Sequence, residues 1–407
     1  MDAHAVAYSI QRNLTIGGCG ALGLQIGLTD PPLIQKVTAT NPTTVVLHLS
    51  QANPGILYTL SLSRGSIYDP KVVRAHGADK AGVPNQWLSS HTASSSGPYL
   101  LKEYVPNNYA VLVRNPRYYG PRAKEATIQV NFIQSVPTLM LQARRGEADV
   151  TLGLPSYAVR QLDGGSCCKI ASASAAAPVT VSLDNASGIT RNRQLRTALT
   201  YAIPYDKILK SVAFGYGESY YGPLTPVVPG YRAGLEKPRP YDPAKARELV
   251  RKSGITHPHI KLMINPTAPQ VSTLATILQS AWQSIGVDVS LDSEAPAAFT
   301  TNYNGGKYQA ALLFEGTTPI AAYEFRKKLT CGSSFNNQHI CIPGATPLLK
   351  KLNKAPDDQS AVDQLTKLWT QQSPTIVLYE AQFTAVLNKD VTTFDYSPTL
   401  RFATWGR

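Results

Sequence analysis

The sequence predicts an α/β protein built as two lobes, and three observations carry that prediction. Residues 127–133 (TIQVNFI) read as a strand, residues 137–145 as a short helix stopped by Gly146, and residues 148–152 as a second strand. Residues 260–264, 269–285 and 287–291 repeat the order strand, helix, strand. That order implies a parallel pair joined by a crossover. The third observation is separation: two α/β units far apart in the chain fit two lobes better than one sheet.

Each element has its own signal. Two strand-like runs flank Pro106-Asn107-Asn108. In the second unit Leu274, Ile277, Leu278, Ala281, Trp282 and Ile285 recur at i, i+3, i+4, i+7, i+8 and i+11, which is one helical face. Gly286 fits the stop of that helix, and Val287, Val289 and Leu291 then alternate as a strand. Asp242 as N-cap and Pro243 in the first turn open another helix that ends before Gly254, with Ala246, Leu249 and Val250 on its apolar face. Near the end, Val362, Leu365, Leu368 and Trp369 keep helical spacing, and residues 375–380 (TIVLYE) after Pro374 read as a buried strand. In such folds ligands bind beyond the carboxyl ends of strands, and the crevice between lobes is a preferred pocket.

Composition bounds the function. At 407 residues the chain can bury a large core, and 43% hydrophobic against 16% charged residues is globular rather than disordered. There is no run of 18 apolar residues; ASASAAAPVTVSL (171–183) comes nearest and is too short and too rich in Ala and Ser. A net charge of +13 raises nucleic acid as a partner, yet the longest basic run is Arg326-Lys327-Lys328 and no helix carries a Lys/Arg stripe. Spread charge reads as a solvated face, so no nucleic-acid partner is expected. Of the five cysteines, Cys331 and Cys341 flank a polar loop of the kind a disulfide closes, two buried free thiols being the alternative. Adjacent Cys167 and Cys168 rarely bond to each other without strain, so with Cys19 at least one cysteine is left over or paired outside the chain.

Catalytic signatures are missing. Gly164-Gly165-Ser166-Cys167-Cys168-Lys169 lacks the spacing of a phosphate-binding loop, and no GxSxG elbow exists. His257 and His259 share a face if extended, but no further ligand follows at recognisable spacing, and the pair lies in a pre-strand loop. No enzyme, no cofactor and no metal site is expected.

The stretch HTASSSGPYLLKEYVPNNYAVLVRNPRYYG (91–120), followed by RRGEADVTLGLP (144–155), resembles the long ordered signature of solute-binding protein family 5, the dipeptide, oligopeptide and nickel receptors of ABC importers. NASGITRNRQLRTALTYAIPYDKI (185–208), GYGESYYGPLTPVVPGY (215–231), YDPAKARELVRKSGI (241–255) and YQAALLFEG (308–316) also match its pattern. The resemblance implies a type II periplasmic-binding-protein fold: two lobes, a hinged cleft and a partial extra subdomain. On that basis residues 1–90 form the partial subdomain, 91–184 with 381–407 lobe I, and 185–380 lobe II. Arg196 and Asp149 take structural positions in such a fold. MDAHAVAYSIQRNL is similar to a segment that normally lies inside the mature protein. The family's export signal, lipid-attachment cysteine and first strands of lobe I are therefore expected upstream, the start being placed too late or the chain being a fragment.

The site is implied by the same resemblance. Thr317 stands where dipeptide receptors carry an Asp that pairs with the peptide amine, Phe314 where they carry a Trp, and Asn265 near an Arg that holds the carboxylate. A buried ammonium or carboxylate without an opposite charge is costly, so a dipeptide held by both ends is disfavoured. Glu315 is the nearby carboxylate that could substitute, with Gly316 beside it. The loop Ser94, Ser95, Ser96, Gly97 offers hydroxyls and close backbone approach, or is a plain turn into a strand. Tyr216, Tyr220 and Tyr221 could stack on a ligand, although tyrosines there more often pack subdomains together. The implied function is the extracytoplasmic substrate-binding component of an ABC importer, a monomer that takes a peptide or other polar solute. Its partners would be a permease and its ATPase subunits in the cell envelope, with membrane association through that permease or a lipid anchor not in this chain. An enzyme or a regulatory ligand-sensing domain on the same fold is the alternative.

Overall fold

A computed structural model describes residues 2–26, 31–53, 55–77, 80, 82–83, 85–92, 95–235, 240–267, 269–333, 336–396 and 400–407. Its contacts divide the chain into two compact units, residues 1–139 with 389–407 and residues 140–388. The lobe boundaries expected at 184/185 and 380/381 fall at the end of one long strand and inside another.

In the first unit, helix Ala3–Ile16 is capped by Asp2, whose Oδ1 accepts from the Ala5 N–H at 3.0 Å. It lies on the antiparallel pair β1 (Ile34–Asn41) and β2 (Thr44–Leu49), with Ile10, Leu24 and Ile34 as a small core. The two runs around Pro106 are β3 (Tyr99–Val105) and β4 (Tyr109–Arg114), antiparallel, with Asn107 at φ 59° in the turn. β5 (Thr127–Asn131) pairs antiparallel with β4.

This corrects the first predicted crossover. The strand at 127, the helix (Val136–Arg145) and the strand at 150 all exist, but β5 belongs to the three-stranded sheet. The third element, β6 (Val150–Leu152), instead pairs antiparallel with a strand more than two hundred residues later, Ala385 facing Leu152. Local periodicity reports an element and a face; it does not report the partner.

The second unit holds the large sheet. Its strands are β6, β7 (Cys168–Leu183), β8 (Gly217–Glu218), β9 (His259–Ile264), β10 (Asp288–Ser293), β11 (Ala310–Phe314) and β12 (Thr375–Asn388). The order is β10-β9-β11-β7-β12-β6, with β8 added on β12. Here the second crossover is present as read: β9 and β10 are parallel from His259–Asp288 to Ile264–Ser293, joined by helix Pro269–Gln283. The strand read at 375–380 continues to residue 388 and pairs with β7 along its length. β7 and β12 slip register at Leu378 and again between Ala381 and Gln382, where Ala176 takes φ 49°.

Alternation along β7 divides the sheet into two faces. Val179, Val181 and Leu183 enter a core shared with helices Arg193–Tyr201, Pro243–Lys252 and Pro269–Gln283. Trp282 is fully buried there and its indole N–H donates to the Leu199 carbonyl at 3.2 Å. Asp242 caps its helix as the sequence indicated, accepting from the Lys245 N–H at 2.8 Å. A second core, with Phe325, Leu349, Leu365 and Trp369, joins helices Ala321–Leu329, Ala345–Lys354 and Gln359–Gln372. Thr180 and Ser182 point away from the first core, and they begin the site.

Arg196 ties these parts together. Only 5% exposed, it donates from Nε to the Ser373 carbonyl, from Nη1 to those of Thr190 and Arg191, and from Nη2 to that of Gln372, at 2.8–3.1 Å. Burial pulls its guanidinium down to about 10. Cys331 and Cys341 form a disulfide, their Cα atoms 5.0 Å apart, which the loop between them predicted; Cys167 and Cys168 are not disulfide-bonded.

Candidate ligand-binding site

β9 and β11 run parallel, Ala310 beside Leu262 and Ala311 beside Met263, so both end at one sheet edge. Asn265 follows β9 there. Its Oδ1 accepts from the Thr267 N–H at 3.2 Å and from the Thr267 hydroxyl at 2.9 Å, a turn that leads into helix Pro269–Gln283. Phe314 closes β11 and is 42% exposed. Beyond it the chain stays on β7: the Glu315 N–H donates to the Pro178 carbonyl at 2.9 Å and the Thr317 N–H to the Ala176 carbonyl at 2.8 Å. Gly316 is exposed, and a Cβ built there would meet nothing within 4 Å. The structure thus brings Asn265 and the segment Phe314–Thr317 to the same edge.

Behind that edge lies a polar wall. Glu315 is not a solvated loop residue: its Oε1 accepts from the Thr180 hydroxyl at 2.6 Å, and its Oε2 lies 3.9 Å from Lys327 Nζ. Burial opposes the Lys327 charge, but Glu324 and Glu315 outweigh it and hold the ammonium above the usual lysine range. Glu324, 1% exposed, also accepts from the Thr318 N–H at 2.9 Å, which anchors the chain leaving the site. Ser182 Oγ accepts from Gln338 Nε2 at 2.9 Å and lies 3.3 Å from the Tyr303 hydroxyl. Gln338 Oε1 in turn accepts from the Thr375 hydroxyl. Tyr303 stacks on Tyr308 at 5.1 Å, and burial pushes the Tyr303 phenol up to about 12. At the end of β7, Asp184 Oδ1 meets His339 Nδ1 at 2.9 Å. Burial there works to raise the Asp184 carboxyl, but Ser187, the Ala186 N–H and His339 together hold it below the usual range.

The other candidates sort plainly. Ser95 and Ser96 are exposed; the Ser95 hydroxyl donates to the Tyr99 carbonyl at 2.9 Å, and Gly97 accepts from Asn115 Nδ2 at 2.8 Å. That loop belongs to the first unit, and Ser94 lies outside the described residues. The tyrosines pack: Tyr216 donates to Asp163 Oδ2 at 3.0 Å, Tyr220 is buried in the second core, and Tyr221 sits edge-on to Tyr205 at 5.4 Å. His257 lies in a turn at φ 49° and His259 opens β9.

Two parts of the wall escaped the sequence reading. Arg326-Lys327-Lys328 was expected on a solvated face, yet Arg326 is 4% exposed and donates to Asn353 Oδ1 at 2.5 Å. Lys328 donates to the Pro223 carbonyl at 2.6 Å and pairs with Glu324 at 3.6 Å. The cue was Glu324, one turn before Lys328 in a helix that also buries Ala321, Ala322, Phe325 and Leu329. The second is Glu380, which looked like the polar end of a buried strand and lies in the middle of β12 at 2% exposure.

Comparison with known proteins bears on the family and the fold. The sequence pattern of bacterial extracellular solute-binding proteins, family 5 (middle), matches residues 1–337. The chain is 25% identical over 411 residues to the probable D,D-dipeptide-binding periplasmic protein DdpA of Escherichia coli K12, covering 98% of this chain and 77% of that protein. It is 27% identical over 258 residues to the nickel-binding periplasmic protein of the same organism, a match spanning 58% of this chain and 49% of that one. Among solved structures it superposes on the periplasmic binding protein DppA of Helicobacter pylori, in complex with the peptide STSA. There the TM-score is 0.84 at 19% identity, over 98% of this chain and 80% of that one. A putative peptide-binding protein AppA from Clostridium difficile gives a TM-score of 0.86 at 18% identity, over 100% and 85%. At such identities the likeness is one of fold, the type II periplasmic-binding-protein fold that the sequence signature implied.

Proposed function

The chain belongs to the bacterial extracellular solute-binding proteins of family 5, and from that membership we propose that it is the substrate-binding component of an ABC importer. It takes a peptide or another polar solute outside the cytoplasm and hands it to a membrane permease driven by ATPase subunits. It binds its solute and does not transform it. The Cys331–Cys341 bridge agrees with an oxidising compartment. We further propose that it works as a monomer, reaching the membrane through its permease or a lipid anchor.

The observation that carries this reading is the edge formed by Asn265 and Phe314–Thr317. It offers an exposed aromatic ring, open space over Gly316 and a polar wall whose groups already satisfy one another. A ligand that fits there gains contacts without stranding buried donors. Neutral Thr317 and Asn265 give no pair of charged anchors for both ends of a short peptide. A longer peptide or an uncharged polar stretch, held by backbone groups and hydroxyls, suits the edge better than a free dipeptide. Binding signals to a permease only through a ligand's differential affinity for the receptor's conformations.

Mass spectrometry of solutes that co-purify with the protein, followed by calorimetry with dipeptides and a longer-peptide library, tests the proposal. Retained solute with longer peptides preferred is expected. Chemical turnover of a bound solute would overturn it, as would the absence of any bound solute or peptide affinity.

A further inference from the structure

Four residues stand in one row across the large sheet. Phe314 faces Val179, so Glu315, whose N–H bonds the Pro178 carbonyl, continues the row; Glu380 faces Pro178 on the other side, and Glu218 of β8 faces Glu380. Residues directly opposite in a sheet project from the same face, with Cβ atoms about 5 Å apart across an antiparallel pair. The row therefore carries three carboxylates. Glu315 is answered by Lys327 and Thr180. Among the described residues no Lys, Arg or His pairs with Glu380 or Glu218.

Glu380 is the unusual member. It is 2% exposed, its Oε1 accepts from the Ser174 hydroxyl at 2.5 Å, and its Oε2 is buried with no hydrogen-bond partner among the described residues. Glu218 is exposed, and one of its oxygens accepts from Gln382 Nε2 at 3.0 Å. Like charges directly opposite destabilise a sheet, and an unmet buried carboxylate oxygen adds its desolvation cost. Two unfavourable features at one point, with a donor missing at a defined oxygen, would both be relieved by a positively charged donor. Among the described residues no group of three or more His, Cys, Asp or Glu gathers as metal ligands. An ammonium, with three N–H donors and no demand for a fixed coordination shell, suits the set better than a metal ion.

The place is next to the proposed site. The Ala176 N–H donates to Ser174 Oγ at 3.3 Å, the hydroxyl that itself donates to Glu380, and the Ala176 carbonyl accepts from the Thr317 N–H at 2.8 Å, so a short run of β7 separates Glu380 from the Phe314–Thr317 segment. We infer that Glu380, with Glu218 beside it, takes an ammonium group of the ligand, so that the solute is a cation, such as a peptide with a free amino terminus or a lysine side chain. This rests on the solute-binding reading and narrows it. The carboxyl end of the ligand then needs no charged partner, in keeping with Asn265.

The test is calorimetry of the full chain with three probes: Ala-Ala-Ala-amide, its N-acetylated form, and acetyl-Ala-Lys-Ala-amide. The two cationic peptides are expected to bind about ten- to a hundredfold more tightly than the neutral one, the scale of one charge-assisted hydrogen bond. Glu380→Gln should abolish that preference while leaving the weak binding of the acetylated peptide in place and the melt cooperative. Glu218→Gln should reduce the preference without removing it. Equal affinity for all three, or a preference that survives Glu380→Gln, overturns the inference and leaves the solute-binding reading standing. Tightening on addition of magnesium or nickel chloride, with no peptide preference, also overturns it in favour of a metal site. Failure of every probe to bind, with no co-purified solute, overturns both.

Discussion

The Thr180 hydroxyl donates to Glu315 at 2.6 Å across the β7–β11 pair and, with the Glu315 N–H on the Pro178 carbonyl, holds the residue beyond β11 against the sheet. It aligns the carboxylate with Lys327 and so fixes the first two residues of the segment that leaves β11. Thr180→Val keeps the shape and removes the donor, and should cost about 1–3 kcal/mol, the range for hydrogen bonds to a charged acceptor. Glu315→Gln should cost less, because an acceptor for Thr180 remains and Glu324 still faces Lys327. Denaturant titration of both variants and the double mutant should give a coupling of at least about 0.5 kcal/mol. Strict additivity would show that the bond does not organise the segment.

Arg196 makes a second, purely structural prediction. Removing it strands carbonyls of Thr190, Arg191, Gln372 and Ser373, which come from two distant parts of the chain. Arg196→Ala should cost several kcal/mol, at about 1–3 kcal/mol for each buried group left unmet. Arg196→Lys should recover little, since one ammonium cannot reproduce the planar fork. Solute affinity per folded molecule should not change. A loss of affinity at full folding would move Arg196 into the binding site.

How much of this was legible beforehand follows from what each signal measures. The helix Pro269–Gln283 was plain because six apolar residues share one face, and β9 and β10 followed from its two ends. β12 was read six residues long because Ala381-Gln382-Phe383-Thr384 breaks the apolar run where the strand slips register against β7. The first crossover failed because β5 and β6 look alike in sequence whichever sheet receives them. Thr317 and Glu315 were legible through family resemblance, but their partners Thr180 and Lys327 were not. A β7 threonine and a carboxylate 135 residues later meet only through the pairing of β7 with β11, and the helical lysine joins them there. Glu380 was hidden by its apolar neighbours, the same neighbours that bury it.

The disulfide gives a third prediction. Cys331 and Cys341 close a short loop that leads into Ile342 and the second core. Cys331→Ser with Cys341→Ser should lower stability by about 2–3 kcal/mol, as expected of a ring this small in the chain-entropy model. Reductant should lower the melting temperature of the parent protein and leave the double variant unaffected. Equal melting of the parent in both conditions would show that the bridge contributes nothing.

The last prediction concerns acidity at Glu380. Burial raises its carboxyl above the ordinary glutamate range, Glu218 on β8 adds to the rise, and the Ser174 hydroxyl only partly opposes it. The folded protein therefore holds this proton more tightly than the unfolded chain. Between the ordinary glutamate value of about 4.3 and the raised one, the native state binds more protons, so this group's contribution to stability falls as pH rises. Above the raised value the full cost of the buried charge is present. Glu380→Gln removes that cost, so the variant should be more stable than the parent at neutral pH, and the advantage should shrink as pH drops towards the ordinary glutamate value. Melting curves across that interval, parent beside variant and without ligand, measure the difference directly. A variant less stable than the parent at neutral pH would mean that the Glu380 charge is already compensated in the empty protein, and would remove the reason for expecting a cation there.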